Sequence, residues 1–212
     1  AKSPGGTRYG YQPRDGLPVS APKNVVMPRR SILSANDRAS LLALPDTRDE
    51  LIRLYTFSEP DLSLIRQRRG DANRLGFAVQ LCLLRYPGHG LSDDAVLPPA
   101  YVQWDAHQLR IEPMCWPQYA EREETRREHL LDLCAYLGMT TFKLSHFRQA
   151  VHALAELAFQ TDKGVVLATQ VLDTLRQRHI IIPALEVIER VCAEAITRAN
   201  RRIYAALADS LS

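Results

Sequence analysis

The chain has 212 residues, 46% of them hydrophobic and 24% charged, an ordinary globular composition with enough length to bury a core without staples. Its net charge of +3 comes wholly from residues 1–27, with four basic residues and one acid, because residues 28–212 hold 23 of each. That balance excludes a strongly basic nucleic-acid binder, and neither an 18-residue apolar run nor an apolar signal core is present to suggest a membrane span or secretion.

Residues 1–26 are rich in Gly and Pro and lack periodicity, so residues 1–27 read as a disordered tail, with folded patterning beginning after Met27. From there the pattern is helical. Ser34 reads as the N-cap of a short helix to Leu44, Asp46 or Thr47 as the start of a second, and Ser58 as the cap of a third that Gly70 stops. Asp71 reads as the cap of a fourth helix over 73–86, whose apolar face is Leu75, Ala78, Val79, Cys82, Leu83 and Tyr86. Residues 91–120, interrupted by Pro98, Pro99, Pro113 and Pro117, read as an irregular Pro- and Trp-containing connector, with one short helix from Pro98. A fifth long helix is expected over 121–137, stopped by Gly138. A helix capped by Ser145 follows, then one from Thr161 or Asp162 to about Arg178, an extended piece at Ile180–Ile182, and a last helix over about 183–207. The expected class is all-α and multi-helical. Two helical lobes, 28–90 and 121–212, would carry helix-turn-helix-like elements on either side of the Pro-rich connector at 91–120.

No catalytic constellation is legible. Asp93–Asp94 and Glu123–Glu124 are sequence neighbours and do not converge on a point. His107, His129, His146 and His152 have no metal-ligand spacing, and no GxGxxG, Walker or GxSxG motif occurs, so no metal and no cofactor are expected. The four cysteines, Cys82, Cys115, Cys134 and Cys192, form no CxxC pair and read as buried thiols.

Charge is nevertheless uneven. Arg66, Arg68, Arg69 and Arg74 fall within nine residues around a Gly–Asp turn, with Asn73 among them. Arginines flanking a helix junction suit phosphate contacts, and they equally suit a solvated helix end. A second candidate surface joins Arg126 and Arg127 to Lys143 and to the polar face His146, Arg148, Gln149 and His152 of the following helix, which could enter a major groove. Arg198, Arg201 and Arg202 form a third basic face, read as solvated or as an interdomain contact.

The runs Pro28-Arg29-Arg30-Ser31-Ile32-Leu33-Ser34, Tyr55-Thr56-Phe57-Ser58, Ile65-Arg66-Gln67-Arg68-Arg69-Gly70, Asn73-Arg74-Leu75-Gly76-Phe77-Ala78-Val79-Gln80-Leu81 and Arg85-Tyr86-Pro87-Gly88 resemble the N-terminal region of replicative transposases of the Tn-three family. The similarity continues through Arg126-Arg127-Glu128-His129-Leu130, Ser145-His146-Phe147-Arg148-Gln149-Ala150-Val151, Thr161-Asp162-Lys163-Gly164 and the run from Glu194 to Tyr204, so that it covers essentially all of 28–212. The resemblance implies binding to the terminal inverted repeats of a transposon in a bacterial, nucleoid-associated setting. It also implies a distant RNase H-like Asp-Asp-Glu domain elsewhere in such proteins, which leaves this chain non-enzymatic. The expected partners are double-stranded DNA, and itself or the remainder of a full-length transposase. The alternative is a helical assembly module without DNA contact of its own, which the neutral balance of 28–212 favours.

Overall fold

The structure is a computed structural model that describes residues 31–92, 96–120 and 123–210; the expected tail at 1–27 lies outside the described residues. Ten α-helices and one 3-10 turn make up the regular structure of the described residues: α1 (Ala35–Leu41), α2 (Arg48–Tyr55), α3 (Glu59–Arg66), α4 (Asp71–Arg85), α5 (Pro99–Leu109), the 3-10 turn Pro113–Cys115, α6 (Trp116–Ala120), α7 (Glu123–Leu137), α8 (Leu144–Ala158), α9 (Gly164–Gln177) and α10 (Leu185–Ser210). The all-α class is borne out.

Local chemistry explains most boundaries. Ser34 and Ser58 head capping boxes, each accepting from the N–H of Asp37 or Asp61 while that aspartate accepts from the serine N–H; Thr47 caps α2. Three expected starts are corrected. Gly70, at φ +79°, precedes α4, and Asp71 is its first residue rather than its cap. Lys143 precedes α8 in place of Ser145, because His146 Nδ1 accepts the Lys143 N–H at 3.1 Å and supplies the reciprocal bond of a cap. Lys163 precedes α9, whose Gly164 cannot carry a side chain: a Cβ there would stand 2.2 Å from the Ile32 carbonyl oxygen.

The short helix expected from Pro98 is present as α5, and the rest of the expected irregular connector is corrected, since 113–120 is helical as well. Its prolines begin helices instead of breaking them: Pro99 opens α5, Pro113 opens the 3-10 turn, and Pro117 sits in the first turn of α6, where no intrahelical N–H bond is lost. α4 is the central element, with all ten residues from Leu75 to Leu84 buried. α6 presses on it so closely that a Cβ at Gly76 would lie 2.1 Å from the Tyr119 ring.

Buried apolar residues form two clusters within the single compact unit 31–212. One gathers around α4 and takes in Tyr55, Tyr101 and Leu133; the other gathers α8, α9 and α10 together with Leu33. The loops between helices stitch the clusters together. Thr140 N–H donates to His179 O and Ile181 N–H to Thr140 O, both at 2.9 Å, and Ile182 N–H reaches Gly88 O at 2.9 Å. The extended piece expected at 180–182 is therefore real, as an isolated parallel bridge between Thr140 and Ile180.

Candidate nucleic-acid interface

At the α3–α4 turn the signature residues mostly bond to one another. The Arg74 guanidinium donates through Nε to the Arg68 carbonyl at 3.0 Å, and the Asn73 amide donates to the Arg69 carbonyl at 3.0 Å. Two carbonyls at the end of a helix are thus satisfied by side chains from the start of the next, and Gly70 supplies the positive φ between them. Arg74 also meets Asp71 at 3.4 Å.

Arg68 turns inward. Its guanidinium lies 4.4 Å from the centroid of the Phe77 ring and donates to Asp132 of α7 at 2.7 Å, and its side chain is only 19% exposed. Arg66 stands 3.8 Å from Glu59 with both side chains mostly in solvent, so that pair contributes little. Arg69 is exposed, and its guanidinium has no partner among the described residues.

The packing beneath the turn is polar and closed. Gln80 donates to the Tyr119 hydroxyl and, at 3.1 Å, to the Arg126 carbonyl. His129 stacks on the Tyr119 ring at 5.6 Å and meets the edge of Phe77 at 5.0 Å. Burial, with the nearby Arg68 charge, drops its pKa to about 4 although Asp132 pulls the other way, so the ring is neutral. Asp61 is fully buried. Burial alone would raise its pKa, but Arg85 at 2.6 Å, both donors of Ser58 and the Tyr136 hydroxyl at 2.8 Å hold it below the usual carboxylate range.

α4 itself is too buried to lie along a groove; only its first turn and its last residue, Arg85, reach solvent. α8 differs. Val151, Leu154 and Ala155 face the core, while Lys143, Arg148, Gln149 and His152 are exposed. His146 is half-buried, packed at 6.0 Å against Phe142 and engaged in the cap, so it belongs to the helix start more than to the outer face. Arg127 is exposed on α7, whereas Arg126 is half-buried under the Gln80 bond.

Two arginines that sequence reasoning missed flank this face. Arg178, following α9, donates to Gln149 Oε1 at 3.4 Å, and Arg190 of α10 lies over the Phe147 ring at 6.0 Å. Both meet residues in the first half of α8. Arg190 stands alone in sequence and Arg178 beside Arg176 and His179, and both are distant from α8, so no local charge count could assign them to it. The third basic face is largely neutralised: Arg198 pairs with Glu194 at 3.1 Å and Arg202 with Glu156 at 2.8 Å.

Residues 32–195 match the family described as "Domain of unknown function (DUF4158)". The chain belongs to this family. The DUF4158 chain is 60% identical over 186 residues to the transposase of transposon Tn501 from Pseudomonas aeruginosa and 62% identical over 185 residues to that of Tn3926 from Escherichia coli. It is 31% identical over 164 residues to the transposase of transposon gamma-delta from Escherichia coli (strain K12). These alignments cover 88%, 87% and 75% of the chain and 19%, 19% and 16% of the relatives, so the chain spans about a fifth of their length. The resemblance to the N-terminal region of Tn-three transposases is borne out.

The DUF4158 match contains the α3–α4 turn, α7, α8 and both flanking arginines, and it excludes Arg198, Arg201 and Arg202. Among the described residues of this DUF4158 chain, no group of three His, Cys, Asp or Glu side chains is placed to hold a metal, and no helix is long and apolar enough to cross a membrane.

Proposed function

We propose that this DUF4158 region is a DNA-binding module of a transposase, that it recognises the terminal inverted repeats of its transposon, and that it carries no catalytic step of its own. The observation that carries the reading is the outer face of α8: Arg148, Gln149 and His152 are exposed on it, with Lys143 exposed at its start, Arg178 bonded to Gln149 and Arg190 over Phe147. A helix of this width with polar and cationic side chains on one face fits a major groove, and flanking guanidinium groups fit phosphates. Arg69 and Arg127 supply further outward cations, with Arg66 beside them. Arg68, Asn73 and Arg74 serve the site by holding the turn, and Arg126 and His146 by fixing the starts of α7 and α8.

The partners on this reading are duplex DNA and the remainder of a full-length transposase or a second copy of it, in the bacterial nucleoid. The alternative, an assembly module without DNA contact, draws support from the inward pairing of Arg68 with Asp132. An electrophoretic mobility shift decides between them. The 212-residue chain should retard a duplex carrying the terminal repeat at lower concentration than a scrambled duplex, at two salt concentrations. Equal retardation of both duplexes removes the sequence-specific reading, and no retardation of either leaves the assembly module.

A further inference from the structure

We propose that Gln149 is the base-reading side chain of α8, that it recognises an adenine in the major groove, and that Arg178 positions it while meeting a phosphate. This rests on the DNA-binding reading above and assigns residues and a base preference within it.

Gln149 is exposed on the outer face of α8, and its one hydrogen-bond partner among the described residues is Arg178 Nη1, which donates to Oε1 at 3.4 Å. A glutamine amide reads adenine by presenting its oxygen and its NH2 side by side to N6 and N7. A free exposed glutamine would have to give up rotamer freedom to do so, a cost that a bond biasing the amide orientation lowers. The Arg178 bond uses one lone pair of Oε1. It leaves the second lone pair and both Nε2 hydrogens for a base.

Arg178 is suited to hold it. The residue ends α9, and its own N–H donates to the Thr174 and Arg176 carbonyls, so the side chain springs from a fixed turn. A guanidinium has five N–H donors, of which Gln149 takes one and the others stay available to a phosphate beside the groove. Arg190 of α10, exposed and 6.0 Å from the Phe147 ring, is a second guanidinium near the first half of α8. The arrangement has a side chain for the base edge with a guanidinium against it, whereas a merely solvated helix face has no need of a bond from the end of α9.

The test uses the 212-residue chain and a pool of random 30-base-pair duplexes. Sequences retained by the unaltered chain are read out, and the leading duplex with its single-base variants becomes the probe. Gln149→Ala should lose roughly 5- to 150-fold preference for adenine at one position while the salt dependence stays as it was. Arg178→Ala should relax that same position and lower the magnitude of the salt slope by about 0.9. Arg178→Lys should keep the slope, because the cation remains, and lose part of the preference, because the fork does not. Retention of every base preference by Gln149→Ala overturns the proposal, as does an Arg178→Ala variant with an unchanged slope or with its loss at a different position. An unaltered chain that binds no duplex overturns the DNA-binding reading itself, a result visible before any variant is made.

Discussion

Arg68 and Arg69 are adjacent, identical in type and opposite in use. Arg68 covers the Phe77 ring and reaches Asp132, while Arg69 lends only its carbonyl to the structure, accepting from Asn73. Arg68→Ala removes a partly buried ion pair and a cation–π contact and is expected to cost about 1–3 kcal/mol in urea denaturation. Arg69→Ala should lie within about 0.5 kcal/mol of the unaltered chain and yet weaken DNA binding. If both variants unfold alike, the division between a structural and an outward arginine is mistaken. Gly76 makes a second residue-level case. A methyl group there would overlap the Tyr119 ring at 2.1 Å, and that ring is fully buried between Trp116, His129 and Gln80. Gly76→Ala is therefore expected to lower stability by about 1–3 kcal/mol or more, measured the same way, whereas Gly138→Ala meets no neighbour and pays only for its φ of +63°. Which ring crosses at Gly76 depends on Tyr119, 43 residues on, and no local pattern carries that information.

α5 joins the central cluster through one buried acid. Asp105 is fully buried, accepts from Cys82 Sγ of α4 at 3.5 Å through one oxygen, and has no partner at the other. Burial pushes its pKa up to about 8, against a small lowering by the thiol bond. The groups around it, Tyr55, Tyr101 and Cys82, are all pushed up as well and stay neutral. Between about pH 4 and pH 8 the folded chain keeps a proton on Asp105 that the unfolded chain has released. Stability from this group is thus full below pH 4 and falls as pH rises, by about 1.4 kcal/mol per unit. His129 acts in the opposite sense: its folded pKa of about 4 lies below the ordinary 6.5, so stability rises with pH between those values. The two slopes oppose each other up to about pH 6.5, and Asp105 dominates above it. Urea unfolding at pH 6.5 and pH 7.5 should show a loss of about 1 kcal/mol in the unaltered chain that Asp105→Asn largely abolishes. The same loss in both proteins would mean that Asp105 is ionised in the fold. Element existence and class were legible because Ser34, Thr47 and Ser58 caps and 3.6-residue apolar spacing act locally. The start of α5 at Pro98 was legible, but α6 and the 3-10 turn before it were not, because a proline that opens a helix and one that ends it look alike until the chain direction of the neighbouring turns is known.

At the scale of the whole molecule, the equal numbers of acids and bases in residues 28–212 do not mean a uniformly neutral surface. Pairing absorbs some cations selectively: Arg38 with Glu189, Arg68 with Asp132, Arg85 with Asp61, Arg176 with Asp173, Arg198 with Glu194 and Arg202 with Glu156. Several of these join residues far apart in sequence, which is why counting charge along segments could mark the arginine-rich stretch and still misjudge which guanidinium groups point outward. Arg69, Arg127, Lys143, Arg148, Arg178 and Arg190 are left without a carboxylate partner among the described residues. Each phosphate neutralised releases condensed counterions and contributes about −0.9 to the slope of log K against log salt. If three to six of these cations meet phosphate, the slope for the 212-residue chain on a terminal-repeat duplex should fall between about −3 and −5. Titration by fluorescence anisotropy from 50 to 300 mM salt measures it. A value near −1 would leave the outward cations without phosphate partners and return the module to the assembly reading. A value beyond about −6 would require cations outside this set, such as Arg48, Arg53, Arg110, Lys163 and Arg201 or the four basic residues of 1–27, and removal of each group would show which.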